Sequence, residues 1–459
     1  MKTRAEAVLI VFCVAFLVSI SPIIVRWSLG IPGIIGFPTY YHQRISGYML
    51  SGTFDWYDPL SFGGRPYTYP PLFSYMLAGF ALPFGLELGG VVMMGLLGGL
   101  TASIAFLIAR ELIGKKNAFI VILLSSPAFI FLFSHLSTRS PPILLGLLSI
   151  YLAMRKRPWW LISLPLAFSY FFHLETGLVF SAALMLLNRE YLEHAKSVLV
   201  ALVLAGIFYA PLFFAYGIPQ ANAIHADYIA RGYGLESLNV PYFTWEGSFL
   251  GNGPTFDNTA LLVLALSLAG LYLSRNRFLR LWFVLFLVLA LASTRLLMYL
   301  VFPAAILATA GIHKISGKYK KAGRFLLLGF LAYSLIIGSW MAFSFGTSWP
   351  TKSETEALLW IKANTPENVT VLSDWTWGHW ITGISYRKSF VDGYAEYAPQ
   401  ADLRISGLEA FYQNCTVPQG YGIGYAYMED WFIKQQNITC LDSFQKVYDK
   451  DQIYVFKVG

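Results

Sequence analysis

The chain has 459 residues, 56% of them hydrophobic and only 13% charged, with a mean hydropathy of +0.56 and a formal net charge of +8. This composition excludes an ordinary soluble globule and a disordered chain and points to a polytopic membrane protein. The positive excess does not read as a nucleic-acid surface: basic residues group in short loops between apolar runs, and residues 346–459 carry nine Lys/Arg against thirteen Asp/Glu.

In chain order, apolar runs near the spanning length predict helices over 7–26, 88–110, 118–134, 141–154, 159–173, 175–188, 197–216, 257–274, 279–294, 295–312 and 324–345. Eleven crossings result from placing every basic cluster inside, from Lys2 and Arg4 through Arg110, Lys115 and Lys116 to Lys314–Arg324. The expected protein is integral to the plasma membrane, with a cytoplasmic N-terminus and an extracytoplasmic tail. This solution requires that "YPPLFSYMLAGFALPFG", Tyr69–Gly85, does not cross. It is short, opens on Pro70-Pro71 and carries Pro83, so it is predicted to be a re-entrant or interfacial segment at the outer face. The first apolar run is read as an anchor, because no small-residue cleavage site comes after it.

The expected fold is therefore an α-helical polytopic membrane domain over 1–345, with a large first outer loop at 27–87, and a small extracytoplasmic α/β domain over 346–459. In the tail, Ser353 and Glu356 have capping-box spacing before an apolar helix face of Leu358, Leu359 and Ile361. "VTVLS" reads as a strand, and "SFVDG" as a further candidate strand. Cys415 and Cys440 are available to pair in an oxidising compartment, although spacing alone does not fix a bridge. Three glycosylation sequons, at Asn368, Asn414 and Asn437, all fall in the tail.

Under this topology the unusual polar residues collect at one membrane face. The first outer loop offers His42, Arg44, Asp55, Asp58 and Arg65; later outer turns offer His135, Arg139, His173 and Glu175; the loop at 217–256 offers Glu246; and "STRLLMY" opens a helix with Arg295. Charges bordering the bilayer tend to mark function. Arginine suits an anionic headgroup because its planar fork meets two phosphate oxygens at once. Nearby acids can deprotonate an acceptor or hold a divalent ion such as Mg or Mn. The three tryptophans of "SDWTWGHWI" have two readings of equal weight, a binding surface and a packing cluster.

The order of these parts resembles the catalytic subunit of archaeal oligosaccharyltransferase, within the GT-C superfamily of membrane glycosyltransferases. The likeness rests on "YYHQR" and "YPPL" in the first loop, on "TRLLMYLVFPAAILATAG", and on "SDWTWGHWI" with Arg387 and Asp392 beyond it. The family's Trp-Trp-Asp-Tyr-Gly motif falls on Asp374, Trp375, Thr376, Trp377 and Gly378, so its acceptor-reading Asp is Thr376 here. The catalytic Asp that the family places before the "YH" pair is also missing from "FPTYYH", whereas Glu246 matches a late-loop acid.

The resemblance implies a membrane glycosyltransferase. Such an enzyme moves a sugar from a polyprenyl- or dolichyl-(pyro)phosphate donor, held in membrane lipid, to an acceptor at the outer face. Asp55, Asp58, Glu175 and Glu246 are the candidate acids. Arg295, with Arg44, Arg139 and His42, is the candidate donor-phosphate site, and Trp375, Trp377 and His379 are candidates to contact acceptor or sugar. The missing family acids leave open a non-catalytic relative that binds a lipid-linked glycan or scaffolds an active enzyme. A solute transporter fits less well, because no internal repeat is visible and the polar residues lie at one face.

Overall fold

A computed structural model describes residues 2–114, 118–187, 191–217, 254–292, 296–318, 320–395 and 397–459. Counting only described residues, the chain divides into two compact units. The first takes the described residues among 2–25, 91–210 and 254–346; the second takes those among 26–90, 211–217 and 347–459. The sequence-based division put the first outer loop with the membrane helices, whereas in the structure that loop folds with the tail.

The first unit is helical. Among the described residues, five helices are long and apolar enough to cross a membrane: Ala5–Ser28, Leu72–Ile113, Leu192–Tyr216, Leu297–Ser316 and Leu327–Gly346. Ser140–Met154, Trp159–Phe172, Leu174–Met185 and Val263–Leu273 are apolar but shorter. At 1.5 Å per residue, a helix of about 14 residues covers about 21 Å, less than a hydrocarbon core of about 30 Å. The expected run 118–134 is two helices, Ala118–Leu124 and Pro127–Ser134, because Pro127 cannot continue the first. Helix lengths alone therefore do not count eleven crossings.

The first and last long helices meet at their C-terminal ends. A side chain on Gly346 would lie 2.7 Å from the Pro22 carbonyl oxygen and 2.8 Å from Val25 Cβ, so only glycine fits there. A second glycine breaks the longest helix, since Gly85 takes φ 76° and ψ 166° inside Leu72–Ile113. Its neighbour Gly89 lies so close to Phe80 that a Cβ would sit 2.7 Å from the Phe80 carbonyl oxygen. Nine residues of straight helix would separate these residues by about 13 Å. The chain therefore doubles back at Gly85, and the Leu72–Phe84 arm is not one continuous rod with the helix from Leu86 onward.

The second unit is α/β. Strands β1 (Tyr57–Asp58) and β2 (Arg65–Pro66) form a hairpin in the first loop, with Asp58 opposite Arg65. Strands β3 (Thr370–Leu372), β4 (Lys388–Ser389), β5 (Ile423–Glu429), β6 (Gln445–Lys450) and β7 (Ile453–Lys457) form one sheet in the order β4-β3-β5-β7-β6. β3 runs parallel to β4 and β5, and β7 runs antiparallel to β5 and β6.

The hairpin loop is built into this domain. Phe62, Gly63 and Gly64 all take positive φ, and this turn buries Phe62 completely in the tail core. The Phe62 amide donates to Ser389 Oγ at 3.3 Å, and the Ser389 amide donates to the Leu60 carbonyl at 2.9 Å.

Two local expectations change. The capping box at the tail's first helix, Lys352–Asn364, is Thr351 with Glu354, not Ser353 with Glu356. The expected "SFVDG" strand is replaced by the two-residue β4, Lys388–Ser389, which shares only Ser389 with it, and Phe390 is buried in the core. Cys415 and Cys440 form a disulfide, and Asn368, Asn414 and Asn437 are all exposed.

Candidate active site

In the second unit, polar candidates from the first loop and the tail share one buried cluster. Arg44 and Asp58 form a two-pronged ion pair, with both nitrogen–oxygen distances 2.7 Å and both side chains fully shielded from solvent. Asp58 also accepts the Leu60 and Ser61 amides. Burial alone would raise its carboxyl pKa, but the Arg44 guanidinium outweighs burial and holds it below the usual range. The chemistry open to Asp58 is to fix Arg44, not to accept a proton. Asp55 lies at the exposed rim, its carboxylate accepting the Trp56 amide at 2.7 Å.

His42 is buried and its Nε2 meets the Tyr394 hydroxyl at 3.1 Å. His379 packs 4.6 Å from the same Tyr394 ring and 5.5 Å from Tyr41, with its Nδ1 buried and unbonded. Burial lowers the His379 pKa to about 4, against the raising pull of Asp392, so the ring is neutral near pH 7. Arg65 lies over the Tyr394 ring.

The tryptophan motif takes its packing reading. Trp375 and Trp377 are 5% and 2% exposed and belong to the tail core, where Trp377 meets Tyr427 and Phe432 edge-on. Burial in the core is the arrangement expected of a packing cluster, and the reading in which Trp375 and Trp377 contact acceptor or sugar is put to the test by substitution. Gly378 is needed because a side chain there would collide with the Val391 carbonyl and with Asp392. Arg387, the motif's trailing arginine, caps a helix: its Nη2 donates to the carbonyls of Lys362 at 2.6 Å and Thr365 at 2.7 Å.

In the first unit, two helix starts bring a second set together. Arg139 immediately precedes the helix Ser140–Met154, and His173 is the N-cap of Leu174–Met185, where its ring accepts the Thr176 amide. Arg139 Nη2 lies 3.2 Å from Glu175 Oε2, and the Tyr299 hydroxyl donates to Glu175 Oε1 at 3.4 Å. Thr176 Oγ1 lies 2.7 Å from the Tyr299 hydroxyl and 3.1 Å from His173 Nδ1. The Glu175 side chain stays 41% exposed, which keeps it open to a reactant. His135 is engaged elsewhere, its Nδ1 2.6 Å from the Phe131 carbonyl oxygen. Thr176 and Tyr299 were not singled out from sequence, although Tyr299 closes the "STRLLMY" stretch that drew notice to Arg295. Arg295 and Glu246 lie outside the described residues.

Among the described residues, no three His, Cys, Asp or Glu side chains are grouped so as to hold a metal ion. Asp58, the most enclosed candidate acid, has both oxygens taken by Arg44 and backbone amides.

No protein-family model matches the sequence, and no curated protein matches it either. Solved structures do. An oligosaccharyltransferase from Archaeoglobus fulgidus, crystallised with Zn and sulfate, aligns with a TM-score of 0.61 at 15% identity, covering 91% of this chain and 68% of that one. ArnT from Cupriavidus metallidurans, bound to undecaprenyl phosphate, aligns with a TM-score of 0.59 at 13% identity over 100% of this chain and 98% of that one. The chain has the GT-C fold. The mycobacterial arabinofuranosyltransferase AftD shares it, with a TM-score of 0.59 at 13% identity, over 99% of this chain but only 40% of AftD. At such identities the GT-C likeness speaks for architecture, and the reaction must be argued from side chains.

Proposed function

We propose that the chain is a GT-C glycosyltransferase that moves a sugar or glycan from a polyprenyl-(pyro)phosphate donor to an acceptor at the outer membrane face. The observation that carries this reading is Glu175, a half-exposed carboxylate set between Arg139 and Tyr299 where two helices begin. In the transfer, an acceptor atom attacks the anomeric carbon, the bond from that carbon to the phosphate oxygen breaks, and the acceptor proton passes to a base. Glu175 is assigned as that base. Arg139 and Arg295 are assigned to the departing phosphate, where paired donors steady developing charge.

Further support comes from the neighbours. One archaeal oligosaccharyltransferase structure holds an inhibitory peptide and a dolichol-phosphate, and the ArnT structure holds undecaprenyl phosphate. The meeting of Gly346 with Pro22 and Val25 supports an N-terminus and tail on opposite faces, since both helices run toward that junction.

The test is transfer from a radiolabelled polyprenyl-linked sugar by reconstituted protein. Wild type should transfer, and Glu175→Gln and Arg295→Ala should not while remaining folded. A second reading, a non-catalytic relative that binds a lipid-linked glycan, is favoured by one observation: Asp58 is sealed by Arg44 and closed to substrate. Donor binding by wild type without transfer to any acceptor would establish it.

A further inference from the structure

The second unit carries an exposed apolar rim whose members are joined by specific contacts. Trp349 and Trp431 stack with ring centroids 6.1 Å apart and planes within 9°, yet each remains nearly half exposed, at 44% and 46%. Trp431 is held in place because its indole N–H donates to Glu429 at 2.5 Å. Phe37 packs 6.0 Å from Trp349. Arg26, fully buried, donates to the carbonyls of Ser348 and Pro350 on one side and of Pro32 and Gly33 on the other. Its neighbour Trp27, 41% exposed, donates to Glu87, close in sequence to the exposed Leu82, Phe84 and Leu88.

Two parts of this rim are tied by the chain itself to apolar helices. Trp27 lies within the last turn of Ala5–Ser28, and Trp349 stands three residues past the end of Leu327–Gly346. A 20-residue helix covers about 30 Å, the full hydrocarbon thickness, and three extended residues reach at most about 11 Å further. Trp349 is therefore confined to the neighbourhood of the headgroup layer, where tryptophan is favoured for its apolar body and polar N–H. A water-facing surface has no reason to show this many large apolar groups in succession.

We propose that Trp431, stacked on Trp349, seats the Asp430–Gln436 turn of the tail in the headgroup layer of the bilayer. The second unit is then anchored to lipid by a segment that no membrane helix adjoins in sequence. The occupant is the lipid interface, and the anchor is independent of whether the protein catalyses transfer.

The test uses the full chain in vesicles of phosphatidylcholine and phosphatidylglycerol. In a Cys13→Ser background, a nitroxide at Trp431→Cys is compared with one at Asp449→Cys, an exposed position on β6. The label at 431 should collide with oxygen in preference to a water-soluble nickel chelate, while the label at 449 shows the opposite preference. Because the cysteine variant removes the stack, Trp431→Phe is measured alongside it, and its intrinsic fluorescence should lose part of the wild-type quenching by interfacially brominated lipid. Water-like accessibility at 431 together with unchanged quenching in Trp431→Phe overturns the proposal. So does shielding of the 431 label by added oligosaccharide but not by lipid, which would make the stack a sugar platform.

Discussion

The carboxylate of Asp58 and the guanidinium of Arg44 face each other oxygen to nitrogen at 2.7 Å twice over, in a site that solvent does not reach. Removing one member leaves the other charge buried and unpaired, which costs about 3–5 kcal/mol. Asp58→Asn should therefore lower the unfolding midpoint of the second unit markedly. Arg44→Met combined with Asp58→Leu should recover most of the loss. Thermal unfolding in detergent, followed by near-ultraviolet circular dichroism, checks both variants, and an Asp58→Asn protein that melts like wild type refutes the structural role.

Glu175 behaves differently in this scheme. Its side chain is open, so Glu175→Gln should leave the melting profile close to wild type and reduce transfer about 10²- to 10⁴-fold, the usual contribution of a positioned base. Arg139→Ala should weaken donor binding as well, visible as a raised KM. An unchanged rate in Glu175→Gln would remove the residue from the chemistry.

A pH dependence arises from Glu429. Burial beside Glu354 pushes its pKa from 4.5 up to about 8. Between those two values the folded chain keeps a proton that the unfolded chain has released. Stability therefore falls as pH rises through this window. Glu429→Gln mimics the protonated form and should flatten that slope, so the variant gains on wild type at pH 8–9 and matches it near pH 4. Unfolding midpoints across the range decide the matter; parallel curves for the two proteins would exclude the effect.

Trp375 supplies a test of packing against binding. As a core residue, its replacement by alanine should cost about 3–5 kcal/mol of tail stability. The conservative Trp375→Phe should keep donor KM within about twofold. A large KM change with intact folding would restore the ring to the binding surface.

Much of the helical framework was legible. The run read over 141–154 is the helix Ser140–Met154, and that over 159–173 is Trp159–Phe172, because an apolar stretch between basic loops leaves few other options. Crossing number was less legible, since Pro127 splits one run and Gly85 folds another back. The expected cap of the tail's first helix lies two residues late, because Thr351 with Glu354 has the same spacing as the expected pair, Ser353 with Glu356.

The site was half legible. Arg44, Asp58, Arg139 and Glu175 stood out as charges in apolar company, but their pairings depend on contacts that no local pattern encodes. The tryptophans illustrate the same limit: a ring that packs and a ring that stacks on sugar look alike in sequence.

The bond between the Phe62 amide and Ser389 joins residues 327 apart in the chain. At ribosomal speeds of about 5–20 residues per second, roughly 16 to 65 s separate the synthesis of the two ends. For that interval the Phe62 loop has emerged without the core that later encloses it. Nascent molecules must therefore be kept from aggregating while the remaining helices are inserted, and lesions in the loop should surface as failures of biogenesis, cleared by quality control before any reaction could be assayed.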